Sequence, residues 1–264
     1  MSFNNKVILI TGAGSGIGAA TAKAFAEKSA KLSLIDINEQ NLEITAEACK
    51  AKKVEVLNVA ADLTKDEDVK RSIDSTVRKF GKIDIVVNCA GICGSGSILD
   101  PDLLKKFDET IAINLRTTIA ITNAVAPKLI ETKGNIINIS SVCATLTTKY
   151  MIPYNVAKAG LTHFTKSAAL ELADKGVRVN CISPGYVKTP FMLNSGVSDA
   201  YIDAALIACA HIVPLKRVLE PEEIAELALF LASDKASGIT GSDYAIDGGV
   251  LLTGLNALSE HKFY

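Results

Sequence analysis

The tightest constraint on this chain sits at residues 6–18. Lys6-Val7-Ile8-Leu9-Ile10 is a short aliphatic, β-branched run of the kind buried in a parallel sheet. It breaks into Thr11-Gly12-Ala13-Gly14-Ser15-Gly16-Ile17-Gly18, and a helical pattern follows through Ala19, Ala20, Ala22, Ala24, Phe25 and Ala26. Glycines at 12, 16 and 18 permit a tight turn and let the backbone approach a diphosphate. The helix that opens there, past Ser15 and Ile17, turns free amide hydrogens and the positive end of its dipole toward that anion. Strand, glycine turn and helix in that order predict a dinucleotide site rather than a plain loop.

The next strand, Lys31-Leu32-Ser33-Leu34-Ile35-Asp36, ends in a carboxylate eighteen residues beyond Gly18. A dinucleotide site needs an acceptor there for the adenosine ribose hydroxyls. A carboxylate at that place repels the additional phosphate of NADP. Ile37 follows it and Ser15 is uncharged, so neither position offers that phosphate an Arg or Lys. The expected cofactor is NAD(H). The competing reading of Asp36 is a turn or N-cap residue ahead of a helix beginning near Asn38.

Strands are expected near 6–11, 32–36, 54–58, 83–88, 135–140, 177–183 and 243–247, and helices near 17–29, 39–51, 66–80, 101–131, 151–175 and 221–232. Alternation with short links implies right-handed crossovers and one sheet covered on both faces. The expected fold is α/β, a Rossmann-like doubly wound parallel sheet of about seven strands with helices on both faces. No Pro- or Ser-rich linker or repeat interrupts it, so residues 1–264 are expected to form one domain. Ligands in such sheets sit beyond the carboxyl ends of the strands, where strand order reverses.

Charge and composition exclude several functions. The net charge is −1, with no basic cluster beyond Lys105-Lys106 and Lys216-Arg217, so neither a nucleic acid nor a membrane is an expected partner. No leader pattern precedes the first strand and no apolar run nears the roughly 20 residues that span a bilayer, so a soluble, cytoplasmic protein is expected. Six cysteines, at 49, 89, 93, 143, 181 and 209, show no CxxC spacing and read as small hydrophobes. Cys93 and Cys143 fall near the expected site, which makes it open to alkylation. Three scattered histidines leave no basis for a metal site.

Tyr154 and Lys158 bring a phenol and an ammonium group one helical turn apart. A phenol of pKa about 10 carries protons poorly at neutral pH. A neighbouring cation favours the phenolate and draws that pKa down. Tyr150 has Tyr154, not a cation, as its own fourth successor, and is assigned to the pocket rim or the surface.

With the Thr-Gly-x-x-x-Gly-x-Gly turn, Asp36 and Tyr-x-x-x-Lys, the sequence resembles the short-chain dehydrogenase/reductase family over nearly all of residues 5–250. The resemblance implies further roles. Asp62, followed by Leu63, is similar to the family's adenine-contacting Asp. Asn88, Ala90 and Gly91 resemble a segment running beside the cofactor, with Cys89 where a second Asn is common. Asn114 resembles the mid-helix Asn that holds a water between its helix and the catalytic Lys. The family's catalytic Ser lies thirteen residues before the Tyr, which selects Ser141 over Ser140. Pro184, Gly185, Val187 and Thr189 resemble a loop whose backbone and hydroxyl hold the nicotinamide carboxamide. Asp247-Gly248-Gly249 matches a structural strand-end signature.

The reaction so implied interconverts a secondary alcohol and a ketone. Tyr154 exchanges the proton, Lys158 tunes it and bonds the nicotinamide ribose, Ser141 holds the substrate oxygen, and Asn114 links Lys158 to solvent. A substrate lid is expected near 190–214, carrying Phe191, Met192, Leu193, Val197, Tyr201, Ile202, Leu206, Ile207 and Ile212. That composition favours a largely apolar alcohol or ketone, such as a steroid, terpenoid or fatty alcohol. Two rivals stay open, a 3-oxoacyl-thioester reductase and a non-catalytic dinucleotide-binding sensor or scaffold. The chain's own partner is expected to be itself, as a homotetramer or dimer joined through the long helices near 101–131 and 151–175.

Overall fold

The computed structural model describes residues 2–191 and 199–253, with side chains from residue 206 in the second stretch. Seven strands form one parallel sheet: β1 (Val7–Thr11), β2 (Lys31–Asp36), β3 (Val56–Ala60), β4 (Ile85–Asn88), β5 (Asn135–Ile139), β6 (Arg178–Pro184) and β7 (Asp243–Ile246). Their order is β3-β2-β1-β4-β5-β6-β7. The chain builds outward from β1 to β3, returns to lay β4 on the other side of β1, and builds outward again. The doubly wound sheet inferred from the sequence is therefore the fold, and its switch point lies between β1 and β4.

Every residue of β1, β4 and β5 is buried, as strands covered on both faces must be. Alternate side chains serve two cores. Ile8 and Ile10 pack with Phe25, Leu34 and Ile224 on one face, while Leu9 packs with Val86, Ile121 and Val179 on the other. Each such side chain contributes about 1.5–3 kcal/mol on burial, so the strand ends that carry the site rest on a firm base.

The helices are α1 (Gly16–Glu27), α2 (Glu39–Lys50), α3 (Asp66–Phe80), α4 (Leu103–Ile111), α5 (Thr117–Thr132), α6 (Ile152–Leu172), α7 (Asp199–Ile212) and α8 (Pro221–Ala232). Three departures from the sequence expectation matter. The helix expected over 101–131 is interrupted by a π turn at Ala112–Arg116, where the Thr117 amide reaches back five residues to the Ala112 carbonyl. The strand expected at 54–58 lies at 56–60, because Lys53 turns through the left-handed region at φ 62°. Part of the expected lid is a helix, α7; Met192, Leu193 and Val197, and the side chains of Tyr201 and Ile202, lie outside the described residues. Among the described residues no helix is long and apolar enough to cross a membrane.

Candidate active site

A cleft of about 530 Å³ opens beyond the carboxyl ends of β1 and β4, within the usual range for small-molecule sites. Its floor is the glycine turn. Gly12 takes φ +64°, and a Cβ there would stand 2.8 Å from the Ala90 Cα. At Gly18 a Cβ would lie 2.0 Å from the Gly12 carbonyl oxygen, so α1 and the turn after β1 meet backbone to backbone. Gly18 thus shapes the floor from beneath and does not itself line the cleft, whereas Gly12, Ser15, Gly16 and Ile17 do. Thr11 Oγ1 accepts from the Cys89 and Ala90 amides at 3.1 and 3.2 Å, tying the two strand ends together at the switch point. Ser15 precedes α1 in extended conformation, makes no side-chain cap, and the first turn holds no acid. First-turn amides without a capping side chain, above a floor that any Cβ would obstruct, fit a diphosphate.

At one end of the cleft, Asp36 is held by two backbone amides, Gly14 N–H to Oδ2 at 2.8 Å and Asn38 N–H to Oδ1 at 2.9 Å. The N-cap of α2 is Asn38, whose side chain accepts from Asn41 N–H, so Asp36 is not engaged in capping. Ile37 stands on the wall, 71% exposed. Asp62 and Leu63 also line this end. Asp62 Oδ1 accepts from the Thr64 amide and hydroxyl at 3.1 and 2.6 Å, which holds the carboxyl below its usual range and shapes the strand-end turn.

Ala90 and Gly91 form the middle wall, but Asn88 does not. Its side chain is buried in the sheet layer, donating to Asn138 Oδ1 at 2.9 Å, and Asn138 in turn donates to Thr165 on α6. The residue that the resemblance places beside the cofactor also makes a cross-strand tie that joins β4, β5 and α6. Gly14, Asn38, Asn41 and Thr64 line the cleft and were not singled out from sequence. Gly14 alone carried a signal, as the remaining glycine of the turn.

The far end gathers Ser141, Tyr154 and Lys158, each under 10% exposed. Adjacent serines part company at the end of β5. Ser140 Oγ bonds the Lys158 carbonyl at 3.1 Å and the Thr162 hydroxyl at 3.0 Å, holding α6 to the sheet. Ser141 Oγ accepts from the Cys143 amide at 3.2 Å and bonds the Tyr154 phenol. Lys158 Nζ donates to the Ile139 carbonyl at 2.8 Å and stands 5.6 Å from the centroid of the Tyr154 ring. Phe191 packs against that ring in a tilted arrangement, centroids 5.9 Å apart.

Burial governs the protons here. It pushes the Tyr154 phenol well above its ordinary value, with the nearby Cys143 and Cys93 thiols adding to the rise and the Ser141 bond opposing it. It lowers the Lys158 amine from 10.5 to about 8. Burial thus acts on the phenol in the direction opposite to the draw expected of a cationic neighbour. Desolvation disfavours the charged form of each.

Asn114 is fully buried at the π turn. Its Oδ1 accepts from Ile92 N–H and its Nδ2 donates to Ile92 C=O, both at 2.8 Å. The amide clasps that backbone pair, and a Cβ on the intervening Gly91 would lie 3.1 Å from Asn114 Oδ1 and 3.8 Å from Lys158 Nζ. Turns of this kind recur at functional sites.

Pro184, Gly185, Val187 and Thr189 complete the wall. Leu219 N–H donates to Tyr186 C=O and Lys188 N–H to Leu219 C=O, both at 2.8 Å. That bridge leaves the peptide groups of Val187 on the opposite, cleft-facing edge. A Cβ at Gly185 would meet the Asp247 Cα at 2.8 Å, and Asp247 caps its own turn by accepting from the Gly249 and Leu251 amides.

A family profile described as enoyl-(acyl carrier protein) reductase matches residues 12–251. Cyclohexanol dehydrogenase of Acinetobacter sp. is 35% identical over 93% of this chain and 95% of its own length. The 3-oxoacyl-[acyl-carrier-protein] reductase FabG of Thermotoga maritima is 34% identical over 96% of this chain and all of its own. A short-chain dehydrogenase/reductase of unknown function from Caenorhabditis elegans, solved with cofactor, superposes with a TM-score of 0.90 at 34% identity, over 95% of this chain and 96% of that one. Sheet order, glycine turn and these matches over nearly the whole length agree: the chain belongs to the short-chain dehydrogenase/reductase family of oxidoreductases.

Proposed function

We propose that this oxidoreductase uses NAD(H) to interconvert a secondary alcohol and a ketone, and that its substrate is uncharged and largely apolar. The convergence of Ser141, Tyr154 and Lys158 at the end of the cleft remote from Asp36 carries the reading. When bound, the nicotinamide ring supplies or accepts the hydride. Ser141 donates to the substrate oxygen and steadies its developing charge. Tyr154 gives the carbonyl oxygen its proton in reduction, the direction for which a phenol held above its ordinary pKa is already in the right form. In oxidation it takes that proton back, and the ammonium form of Lys158 stabilises the phenolate. Asn114, bonded to Ile92 at the π turn, keeps a second N–H and lone pair with which to hold a water that links Lys158 to solvent.

Two observations support the choice of cofactor and substrate. Asp36 is held pointing at the cleft with no cation among the described lining residues at its end. Lys158 is the one cation on the described wall, and Cys89, Ile92, Ile113 and Phe191 make much of the rest apolar. The 3-oxoacyl-thioester reductase reading is favoured by the Thermotoga relative. Such reductases usually favour NADPH and a basic approach surface for the carrier, but one from Brucella melitensis is solved with NADH, so activity on acyl thioesters rather than cofactor choice separates the two readings. The protein works in the cytoplasm as a homotetramer or dimer, joined through α4–α5 and α6, where Leu104, Ile119, Val156 and Leu170 are exposed.

The test is a panel of secondary alcohols and ketones with NAD(H) and NADP(H), run beside Tyr154→Phe. The expected result is NAD-linked turnover that falls at least about 100-fold in the variant while NADH still binds. Near-normal turnover by Tyr154→Phe, or turnover with NADPH and acyl thioesters alone, overturns the reading.

A further inference from the structure

One threonine of α5 breaks a rule that others in the chain keep. Thr76, Thr110 and Thr165 are buried in helices, and each hydroxyl donates to the carbonyl four residues back. Thr117 is also buried but reaches elsewhere. Its Oγ1 lies 3.0 Å from the Ala112 carbonyl, five residues back across the π turn, and 3.1 Å from the Leu63 carbonyl, 54 residues away. A single hydroxyl proton thus serves two acceptors, one in the turn and one on the wall beside Asp62.

The turn that Thr117 closes is joined to the cleft on its other sides as well. Asn114 clasps both polar groups of the Ile92 backbone. Leu115 packs on α6 at Gly160, two residues past Lys158, where a Cβ would stand 3.0 Å from Leu115 Cδ2. Arg116 bonds both carboxylate oxygens of Asp66, the first residue of α3, at 2.9 Å. Those two side chains are 50% and 70% exposed, so water and salt weaken that link. Thr117 is the buried one. It ties the Asp36 end of the cleft, where Leu63 forms wall, to the turn that holds Asn114 and Ile92 beside Lys158. We infer that Thr117 is a positioning residue: adenosine seated against Leu63 fixes the π turn through this hydroxyl, and with it Asn114 and Ile92 at the catalytic end. The inference rests on the NAD(H) reading above and deepens it, since the adenosine half of the cofactor then contributes to turnover as well as to binding.

The experiment measures amide hydrogen exchange in the wild type, Thr117→Val and Thr117→Ser, each with and without 5′-AMP, which occupies the Asp36 end alone. In the wild type, AMP should slow exchange over residues 62–66 and also around Ile92 and over residues 112–116. Thr117→Val keeps the shape and loses the hydroxyl. In it the slowing over 62–66 should persist, while that around Ile92 and over 112–116 should shrink about fivefold or more. Thr117→Ser should restore it. Kinetics supply a second readout, expressed per site titrated with NADH. Thr117→Val should lose about fivefold in kcat for a secondary alcohol with its KM changed less than about twofold, and Thr117→Ser should stay within about twofold of wild type. A merely structural tie would lower the melting temperature of Thr117→Val and leave both readouts unmoved, which overturns the inference. Slowing confined to 62–66 in the wild type overturns it too, needs no variant to fold, and leaves the NAD(H) reading standing. AMP that slows neither segment of the wild type takes adenosine away from Leu63, and the cofactor reading falls together with the inference.

Discussion

Replacing Lys158 by methionine should stabilise the ligand-free protein while destroying its activity. The amine is 5% exposed, its one hydrogen bond among the described residues runs to the Ile139 carbonyl, and burial brings its pKa from 10.5 to about 8. At about 1.36 kcal/mol per pH unit, that fall is a penalty of about 3 kcal/mol on the folded state wherever the amine must be charged. Below pH 8 both states hold the proton and the penalty is complete. Between pH 8 and 10.5 the unfolded chain keeps the proton and the folded one releases it, so stability rises with pH. Above 10.5 neither state is charged and the penalty is gone. Methionine carries no such term but gives up one hydrogen bond, about 1–1.5 kcal/mol, so Lys158→Met should be about 1–2 kcal/mol more stable at pH 7. Urea unfolding of both proteins from pH 7.5 to 10.5 separates this from ordinary packing effects. Groups common to both cancel, and wild-type stability should gain about 3 kcal/mol on the variant across that range. Parallel pH profiles would show an amine that titrates as in water, and the electrostatic account of the site would fail.

Two further substitutions probe what else the geometry assigns. Ser141→Ala should cut turnover about 100-fold or more with little loss of stability, whereas Ser140→Ala should leave kcat within a few-fold and lower stability by about 1–2 kcal/mol; steady-state kinetics and unfolding midpoints on the pair decide it, and equal effects would refute the division of labour. Asp36→Ala should lower the preference for NAD over NADP about 10- to 100-fold, the worth of charge-assisted hydrogen bonds at about 1.5–3 kcal/mol; a preference unmoved in competing cofactor titrations would mean that Asp36 does not read the ribose.

What was legible in the sequence is what depends on near neighbours. The strand, turn and helix over 6–18 could be read because each residue's constraint lies within a few positions: Gly18 is required by the Gly12 carbonyl six residues earlier. Asp36 was legible because a strand of known length ends there. Ser140 and Ser141 were separable only by spacing to Tyr154, although their opposed directions follow from the alternation of side chains along β5. Asn114 announced that it needed a partner, yet the partner is the backbone of Ile92, and the π turn beside it left no local mark. The tie of Asn88 to Asn138 was illegible for a similar reason, since it depends on a strand fifty residues away. Desolvation was least legible of all. Spacing alone showed a phenol and an ammonium on one helix face and therefore predicted attraction between charges. Packing of β5, α6 and Phe191 around them removes the water that both charged forms require, an effect opposed to that attraction. In the folded cleft burial favours the neutral phenol and brings the amine to about 8, still charged at pH 7. An occupant that changes the charge or water of the cleft therefore changes how readily Tyr154 exchanges a proton.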